Sequence, residues 1–547
     1  MPRVRLKVIA VALAAVGLSL APYIVGWITQ TETQVFGGFL LDLDDSNSYL
    51  AVMQQGMRGE WCFISLYSPE PQHGVWMYTF YMLLGHLVRL TRLSPLAVYH
   101  GARVVCGLLL LVVVYRFACF FLYRRAVCWT AFLLVALSSG VGWFSEIFWP
   151  TAPGGISPLD FWLLDGYTFL GILTFPHFAL AWAALLVAFW AVLAYVEYPR
   201  PGYLIVGWVA AFVATAVHPT VVLVIGGVLA VYGVGLWVVE RRCPGRWVVG
   251  GLPVALGSLM VGLYFYLAFR ADPVLLSWSR AVMPSPPPLY FLTGYGLLGP
   301  LALAGTVELG RRRDLRGAFL ACWVVVAFLL AYAPFGLQRR LIEGVHIPIS
   351  ILAAVGLHRC VLPALARSRP LRLVARLGYP RRRAVWLARS LLIALTWLSN
   401  LYLVGAVSLA AGTRLPVLFH SASQMAAFNW LHDNLARDDT LLASYETGNL
   451  IPAWTGHRVF VGHWAESANW PERETQVATF FDAATADAWR TAFLRQYGIT
   501  YIFYGLTERA LGRFDPEVAF YLEPVFSGEE VTIYRVRIGA EQSRGYP

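Results

Sequence analysis

Two neighbouring stretches near the N-terminus decide the fold. Val8–Trp27, VIAVALAAVGLSLAPYIVGW, contains no charged side chain, and Leu41–Leu50, LDLDDSNSYL, follows it with three aspartates and several hydroxyl groups. A helix needs about 20 mostly apolar residues to cross a bilayer. The first stretch therefore predicts a membrane span, and the second predicts a polar loop close to the membrane surface.

The composition of the whole chain agrees with this prediction. Of the 547 residues, 58% are hydrophobic and 13% are charged, whereas soluble proteins carry about 25% charged residues. This composition excludes a disordered, nucleic-acid-binding or ordinary cytosolic protein, and it predicts a lipid bilayer but no nucleic acid as partner. The seven cysteines contain no C-x-x-C pair, so they predict neither a disulfide framework nor a zinc site.

Apolar runs of spanning length recur along the chain and predict an α-helical polytopic membrane protein of about 11 spans. The runs begin near Val8, Ala102, Val127, Phe178, Tyr203, Thr220, Val248, Leu289, Ala318, His346 and Ser390. His218-Pro219 interrupts a run that is too long for one span, and it predicts a tight hairpin. We interpret Val75–Leu90 as re-entrant or interfacial, because counting it as a crossing would place Arg124-Arg125 outside.

Charge orients the spans. Arginine groups such as Arg124-Arg125 and the cluster Arg359 to Arg389 fall on the N-terminal side, which the positive-inside rule assigns to the cytoplasm. Residues 1–419 carry 32 basic and 15 acidic side chains, whereas residues 420–547 carry 10 and 16. We therefore predict a multi-pass protein of the cytoplasmic (inner) membrane, with a cytoplasmic N-terminus and an extracytoplasmic C-terminal part.

The predicted organisation is a membrane domain at 1–419 with outer loops at 30–74 and 149–177, an extracytoplasmic α/β domain at 420–540, and a tail at 541–547. In the α/β domain we predict helices at Ser423–Leu435 and Thr485–Tyr497, and strands at Thr440–Ser444, Arg458–Gly462, Ile499–Gly505 and Val531–Val536. A Gly-rich phosphate loop follows none of these strands in the sequence. The domain is therefore expected to cover the membrane part or to bind an acceptor.

Asp44 and Asp45 are the candidate catalytic residues. They precede Ser46–Gly59, which we predict to be an interfacial amphipathic helix. A carboxylate at the membrane surface is placed to deprotonate a hydroxyl as general base. The alternative is that Asp45 or Asn47 caps the helix.

Further candidates lie in the other predicted outer segments. Asp160, Asp165 and His177 are candidates for lining a polar cavity at the membrane surface. The alternative is that Asp160 caps the short helix after Pro158 and that His177 caps the end of a span. Arg339 and Arg340, with His346, are candidates for binding a lipid phosphate, and a salt bridge with Glu343 is the alternative. The candidate substrate contacts are His218, Glu446, His463, Trp464 and Glu466, of which the last four are equally suited to packing.

This layout resembles the membrane glycosyltransferases of the type C fold, which include oligosaccharyltransferases, protein mannosyltransferases and aminoarabinose transferases. The resemblance rests on the first outer loop with Asp44-Asp45, an acidic second loop, many spans and an outward C-terminal domain. Short stretches also resemble those of uncharacterised bacterial members: Asp45 to Leu50, Phe175-Pro176-His177, Gln338-Arg339-Arg340 and Gly462-His463-Trp464.

The resemblance implies an inverting transfer of a sugar from a polyprenyl-phosphate donor to a hydroxyl of a glycan, glycolipid or protein acceptor in the cell envelope. Asp44 or Asp45 would be the base, and Arg339 or Arg340 would face the lipid phosphate. By analogy with the oligosaccharyltransferases, Asp165 would orient the acceptor or help to hold a divalent metal, and Asp160 and His177 would belong to the same orienting group. The sequence lacks the Trp-Trp-Asp acceptor motif of those enzymes.

Two other functions fit a chain with many spans. A lipid-linked glycan polymerase or ligase would depend on outer-loop arginines and a histidine rather than on Asp44 and Asp45. A transporter would be expected to contain internal repeats and ionisable residues at mid-span. We find no repeat, and the acids cluster at span ends.

Overall fold

The computed structural model describes residues 2–148, 157–369 and 380–538. Three features predicted from sequence lie partly or wholly outside the described residues. They are the start of the second outer loop at 149–156, the middle of the arginine cluster at 370–379, and the C-terminal tail at 541–547.

All eleven apolar runs form helices. Six are single helices that are long and apolar enough to cross a membrane: Leu6–Thr29, Pro95–Phe121, Pro176–Glu197, Val221–Glu240, Gly245–Ala271 and His346–Arg367. Three are bent pairs: Arg125–Leu137 with Gly142–Phe148, Pro288–Tyr295 with Leu298–Arg311, and Arg381–Leu395 with Leu398–Gly412. Two are shorter, Pro201–Val217 and Leu315–Ala331. The helical membrane class is thus confirmed, whereas eleven crossings remain a prediction.

Within these runs the first helix covers Pro2–Thr29, and the last single helix is built from His346–Gly356, a π-helical turn at Leu357–Val361 and Leu362–Arg367. The remaining α-helices are Leu43–Met57, Thr79–Thr91, Thr168–Thr174, Pro273–Ser279, Ala422–Asn434, Tyr445–Thr455, Trp470–Phe481, Asp487–Gln496 and Leu506–Leu511. Short 3₁₀ turns occupy Leu159–Phe161, Leu164–Gly166, Gln338–Ile342, Pro416–Leu418 and Pro516–Val518. The break at His218-Pro219 is confirmed, because one helix ends at Val217 and the next begins at Val221.

Two compact units divide the chain. The first contains the residues up to Ile24, then Tyr99–Phe265 and Val282–Leu409; the second contains Val25–Val98, Tyr266–Ala281 and the residues from Ala410 onward. The predicted first outer loop, 30–74, therefore belongs to the same unit as the predicted α/β domain. Sequence separation hides this association, because the two segments are hundreds of residues apart.

Glycines allow two helices of the first unit to approach each other closely. A Cβ atom on Gly356 would overlap the carbonyl oxygen of Leu301, and one on Gly305 would overlap that of Leu352. Small residues at such positions allow membrane helices to pack through their backbones. The helices Leu298–Arg311 and His346–Gly356 are joined in this way.

The second unit is built on a five-stranded sheet. Its strands are β3 (Thr440–Leu442), β4 (Arg458–Val459), β5 (Tyr501–Tyr504), β6 (Leu522–Ser527) and β7 (Thr532–Val536), in the order β4-β3-β5-β7-β6. β3 is parallel to β4 and β5, and β7 is antiparallel to β5 and β6. A separate antiparallel pair joins β1 (Gln34–Phe36) to β2 (Phe419–Ser421).

Side chains alternate across this sheet, as they do along any strand. Leu441, Phe503 and Ile533 belong to one apolar cluster, and their neighbours Leu442, Ile502 and Tyr534 belong to another. Both faces are covered, so the central strands β3 and β5 carry apolar side chains on both faces. The predicted helices and strands of this domain are confirmed to within a few residues. The helices Tyr445–Thr455, Trp470–Phe481 and Leu506–Leu511 and the strand β6 are present in addition to those predicted.

The helix after Asp42 differs from the prediction. It covers Leu43–Met57 rather than Ser46–Gly59, and every residue from Ser46 to Gly56 is buried. The backbones of this helix and Thr79–Thr91 meet at Gly56 and Gly85, where a Cβ atom would overlap a carbonyl oxygen. The polar side chains of this helix are bonded to protein rather than exposed; Gln54, for example, donates to the Ala453 carbonyl at 2.9 Å. The placement of this helix at the membrane interface remains a prediction.

Thr79–Thr91 occupies most of the segment that we interpreted as re-entrant or interfacial. It has 13 residues, which is shorter than the roughly 20 that a span requires. Its placement relative to a bilayer remains a prediction.

Candidate functional site

Asp44 and Asp45 lie in the first turn of the helix Leu43–Met57. The residue before the helix is Asp42, in the left-handed region at φ 48° with no side-chain cap bond, a conformation that Asp tolerates better than most residues. The alternative that Asp45 or Asn47 caps the helix is therefore wrong. Both carboxylates lie in the first turn, close to the positive end of the helix dipole.

The second unit brings these aspartates together with Tyr445, His463 and Glu466, and we call these five residues the Asp44–Asp45 cluster. Tyr445 begins the helix after β3, and its hydroxyl donates to Oδ2 of Asp44 at 2.8 Å. The Trp464 backbone N–H donates to the same hydroxyl oxygen at 3.0 Å. Burial, and then the charge of Asp44, raise the pKa of Tyr445. The phenol therefore keeps the proton that it donates.

His463 holds the second aspartate. Its Nε2 lies 3.0 Å from Oδ1 of Asp45. The backbone N–H groups of Ala465 and Glu466 donate to Nδ1 at 3.2 Å each, so Nδ1 presents its lone pair and Nε2 carries the hydrogen. Burial lowers the pKa of His463, but the hydrogen bond to Asp45 and the nearby carboxylates outweigh burial and raise it.

Glu466 lies deeper in the same unit and is 1% exposed. Its carboxylate accepts hydrogen bonds from the hydroxyls of Ser48 and Ser65. Burial raises the pKa of Glu466. The neighbouring pair Asn47 and Asn449, joined at 2.7 Å, ties the helix Leu43–Met57 to the helix that starts at Tyr445.

The four candidate substrate contacts of the C-terminal domain lie in different surroundings, and their predicted role remains a prediction. His463 and Glu466 are buried and bonded within the protein, and the Trp464 ring stacks on His463 with ring centroids 6.0 Å apart. Glu446 is exposed. Tyr445 to Asn449 open the helix Tyr445–Thr455, in which Ser444 accepts the Thr447 N–H as a helix cap.

Glu466 gives a pH prediction. A carboxyl with a raised folded-state pKa binds its proton more tightly in the folded than in the unfolded chain, so stability falls as pH rises above the ordinary value of 4.5. The raised pKa of His463 acts in the same direction above 6.5. We expect the apparent unfolding temperature to fall between about pH 5 and about pH 8, and Glu466→Gln to flatten that decline. Glu446→Gln is the control; an equal slope in Glu466→Gln and the native chain would disprove the assignment.

A second group, the Asp165–His218–Glu343 cluster, lies in the first unit. Asp165 sits in the 3₁₀ turn Leu164–Gly166, His218 at the break between two helices, and Glu343 directly after the turn Gln338–Ile342. One ligand atom from each lies within 4.8 Å of the others. His218 Nδ1 is 2.8 Å from Oε2 of Glu343, and the Thr220 hydroxyl lies 2.7 Å from both atoms.

Two arginines and a second histidine surround this cluster. The guanidinium of Arg339 lies 5.4 Å from the Trp162 ring, and Nε of Arg340 donates to the Met283 sulfur at 3.3 Å. Burial raises the pKa of Asp165 to about 6, while the positive charge of Arg340 opposes that shift. His177 stacks on His218 with ring centroids 5.5 Å apart. The structure thus brings five predicted site residues into one region with Glu343, for which the sequence predicts only a salt bridge.

Asp160 and His346 form hydrogen bonds outside the Asp165–His218–Glu343 cluster. Oδ2 of Asp160 accepts the backbone N–H groups of Gly140 and Gly142 at 3.1 and 3.2 Å, so it caps the bend of a broken span rather than the helix after Pro158. The two ring nitrogens of His346 lie 3.2 Å from the Ser138 hydroxyl and 3.0 Å from that of Thr168. Neither residue contacts an acid or arginine of the cluster, and their predicted ligand roles remain predictions.

The comparisons with known proteins concern structure. No protein-family model matches the chain, and no curated protein matches it in sequence. Apo ArnT from Cupriavidus metallidurans is 16% identical with a TM-score of 0.57 and covers 97% of both chains, and ArnT bound to undecaprenyl phosphate is 15% identical at 0.56 over 98% of both. Archaeal oligosaccharyltransferase AglB from Archaeoglobus fulgidus, in complex with an inhibitory peptide and a dolichol-phosphate, is 13% identical at 0.51, over 92% of this chain and 70% of that chain.

At sequence identities of 13–16%, structural similarity identifies a shared fold. The chain has the type C fold of membrane glycosyltransferases, as its resemblance to that group predicted.

Proposed function

We propose that this chain is an integral membrane glycosyltransferase that moves a hexosyl or pentosyl group from a polyprenyl-phosphate donor to an acceptor hydroxyl. The observation that carries the proposal is a pair of carboxylates, Asp44 and Asp45, each held by its own hydrogen-bond donor in a chain of the type C fold. Solved chains of this fold are described as bound to undecaprenyl phosphate and to a dolichol-phosphate, which supports a lipid-linked donor here.

Asp44 is assigned as the general base. Tyr445 occupies Oδ2 of its carboxylate, and the side chain is half-buried rather than sealed, so Oδ1 is the atom offered to an acceptor hydroxyl. The acceptor oxygen would attack C1 of the sugar while Asp44 takes the hydroxyl proton. The bond between C1 and the phosphate oxygen breaks, and polyprenyl phosphate leaves with the electron pair. Attack opposite the leaving group inverts the configuration at C1.

Asp45 is assigned a supporting role. Its carboxylate is engaged by Nε2–H of His463, which in turn is fixed by two backbone amides. A carboxylate held this way is poorly placed to accept a further proton. It adds negative charge beside the reacting centre, where a positive charge develops on the sugar ring in the transition state.

Arg339 and Arg340 are assigned to the phosphate of the donor. Guanidinium groups stay charged and match phosphate oxygens with two parallel hydrogen bonds. We place the reaction at the extracytoplasmic face of the inner membrane, with a glycan, glycolipid or protein acceptor. The predicted α/β domain at 420–540 would bind or cover that acceptor.

The assignment of Arg340 gives a binding prediction. Arg340→Ala is expected to weaken binding of polyprenyl phosphate to the purified chain by about 10–150-fold, because a hydrogen bond to a charged group is worth about 1.5–3 kcal/mol. Arg340→Lys should recover part of the affinity. Microscale thermophoresis with a fluorescent polyprenyl phosphate measures this directly.

Arg316→Ala is the matched control, since Arg316 pairs with Glu197 on the face predicted to be cytoplasmic. Equal affinities of Arg340→Ala and Arg316→Ala for polyprenyl phosphate would show that Arg340 does not bind the phosphate. Absence of binding to the native chain would count against a lipid-linked donor altogether.

A further inference from the structure

We propose that Asp165, His218 and Glu343 form a binding site for one divalent first-row cation of the Mn²⁺ to Zn²⁺ series. The inference goes beyond the proposed transfer reaction, because it concerns a cluster in the first unit and is tested without any sugar donor. It also uses no cysteine, which is why the cysteine pattern gave no sign of it.

Unpartnered oxygens are the first observation. Oδ1 of Asp165 and Oε1 of Glu343 are buried without a hydrogen-bond partner among the described residues. Asp165 is 6% exposed and Glu343 is fully buried. An unpaired buried carboxylate oxygen loses its hydration without replacement, a cost of about 1–3 kcal/mol or more. Two such oxygens in one cluster indicate a missing positively charged partner.

Spacing is the second observation. The three ligand atoms already lie within 4.8 Å of one another, and one pair is at 2.8 Å. A cation bound at about 2.0–2.2 Å from nitrogen and oxygen ligands needs them about 3–4 Å apart. Rotation of one carboxylate closes the remaining gap, and Thr220, which now bonds both His218 and Glu343, would become an outer partner of the ligands.

Donor chemistry selects the class of ion. Two carboxylates and one imidazole combine the oxygen ligands that suit Mn²⁺ with the nitrogen that suits Zn²⁺, whereas Ca²⁺ and Mg²⁺ prefer oxygen alone. Three protein ligands leave coordination positions open, as in catalytic rather than structural metal sites. Arg339 and Arg340 act on the charge of Asp165, so an anionic oxygen is the natural occupant of an open position.

The test measures metal binding by the full chain in detergent. The protein is stripped with a chelator, titrated with Mn²⁺ and followed by electron paramagnetic resonance, and Zn²⁺ is then added as competitor. We expect one Mn²⁺ per chain, displaced by one Zn²⁺, with echo modulation from a single imidazole nitrogen. Outer partners alone contribute about 10–100-fold to metal affinity, so Glu343→Gln should weaken binding by at least about 100-fold.

Asp165→Asn is a second ligand variant in case Glu343→Gln does not fold, and His218→Asn should abolish the nitrogen modulation. Glu146→Gln, a half-buried acid of the first unit outside the cluster, is the matched control and should bind like the native chain. Binding of Mn²⁺ that survives all three ligand variants, or no stoichiometric binding to the native chain, would overturn the proposal. Donor binding measured on the same samples tests the proposed function separately.

Discussion

Asp44→Asn is expected to slow sugar transfer by about 10²–10⁴-fold, the range that a general base contributes, while donor binding stays within a few-fold of the native value. The reason is geometric. Asparagine keeps the shape of the side chain and still accepts the Tyr445 hydrogen bond, which measures 2.8 Å, but it cannot take a proton from a hydroxyl. Initial rates at saturating donor measure the effect on kcat.

Asp45→Asn should slow transfer by a smaller factor, because its carboxylate is already engaged by His463. Glu446→Gln removes an exposed acid from the same helix as Tyr445 and should leave the rate unchanged. If Asp45→Asn were slower than Asp44→Asn, the two roles would be exchanged. If both variants retained the native rate, the carboxylate pair would have no part in the chemistry.

Gly448→Ala is the second large effect we expect. A Cβ atom at Gly448 would overlap the carbonyl oxygen of Val461, and Gly462 lies against the Gly448 backbone in the same way. This close approach presses the helix that starts at Tyr445 against the turn that carries His463. Because the obstacle is backbone, we expect a cost of about 3 kcal/mol, the upper end for overpacking.

Such a cost corresponds to a fall of about 6–12 °C in the unfolding temperature of a unit of this size. Transfer should fall too, because Tyr445 and His463 would move away from the two aspartates. Gly299→Ala is the control, since a Cβ atom there meets nothing within 4 Å. Differential scanning fluorimetry measures the unfolding temperatures of Gly448→Ala and Gly299→Ala. Equal values would show that the helix from Tyr445 and the turn with His463 can move apart without loss of stability.

Local pattern was enough for the helical part of the fold. Length and hydropathy located every apolar run, and His218-Pro219 marked the break between two helices. Period-2 alternation was less informative in the sheet, because apolar clusters cover both of its faces. The helix Tyr445–Thr455 was missed since Gly448 and Pro452 oppose helix formation locally and tertiary packing overrides them.

The candidate site was harder to predict for a different reason. Asp44, Arg340 and His463 stood out as charged or titratable groups in outer segments, but their partners come from far along the chain. Asp44 and Tyr445 are 401 residues apart, and His218 and Glu343 are 125 apart. The Leu43–Met57 helix is amphipathic in sequence, which predicts a polar face in water. In the structure that polar face is hydrogen-bonded to other protein segments instead.

The most direct test of the central claim is turnover by the purified native chain. Reconstituted protein is incubated with a panel of polyprenyl-phosphate hexoses and pentoses in native membrane extract, and free polyprenyl phosphate is quantified by mass spectrometry. Release from at least one donor, lost in Asp44→Asn but kept in Glu446→Gln, is the result we predict. No release from any donor by a chain that also fails to bind polyprenyl phosphate would contradict the assignment as a lipid-dependent glycosyltransferase.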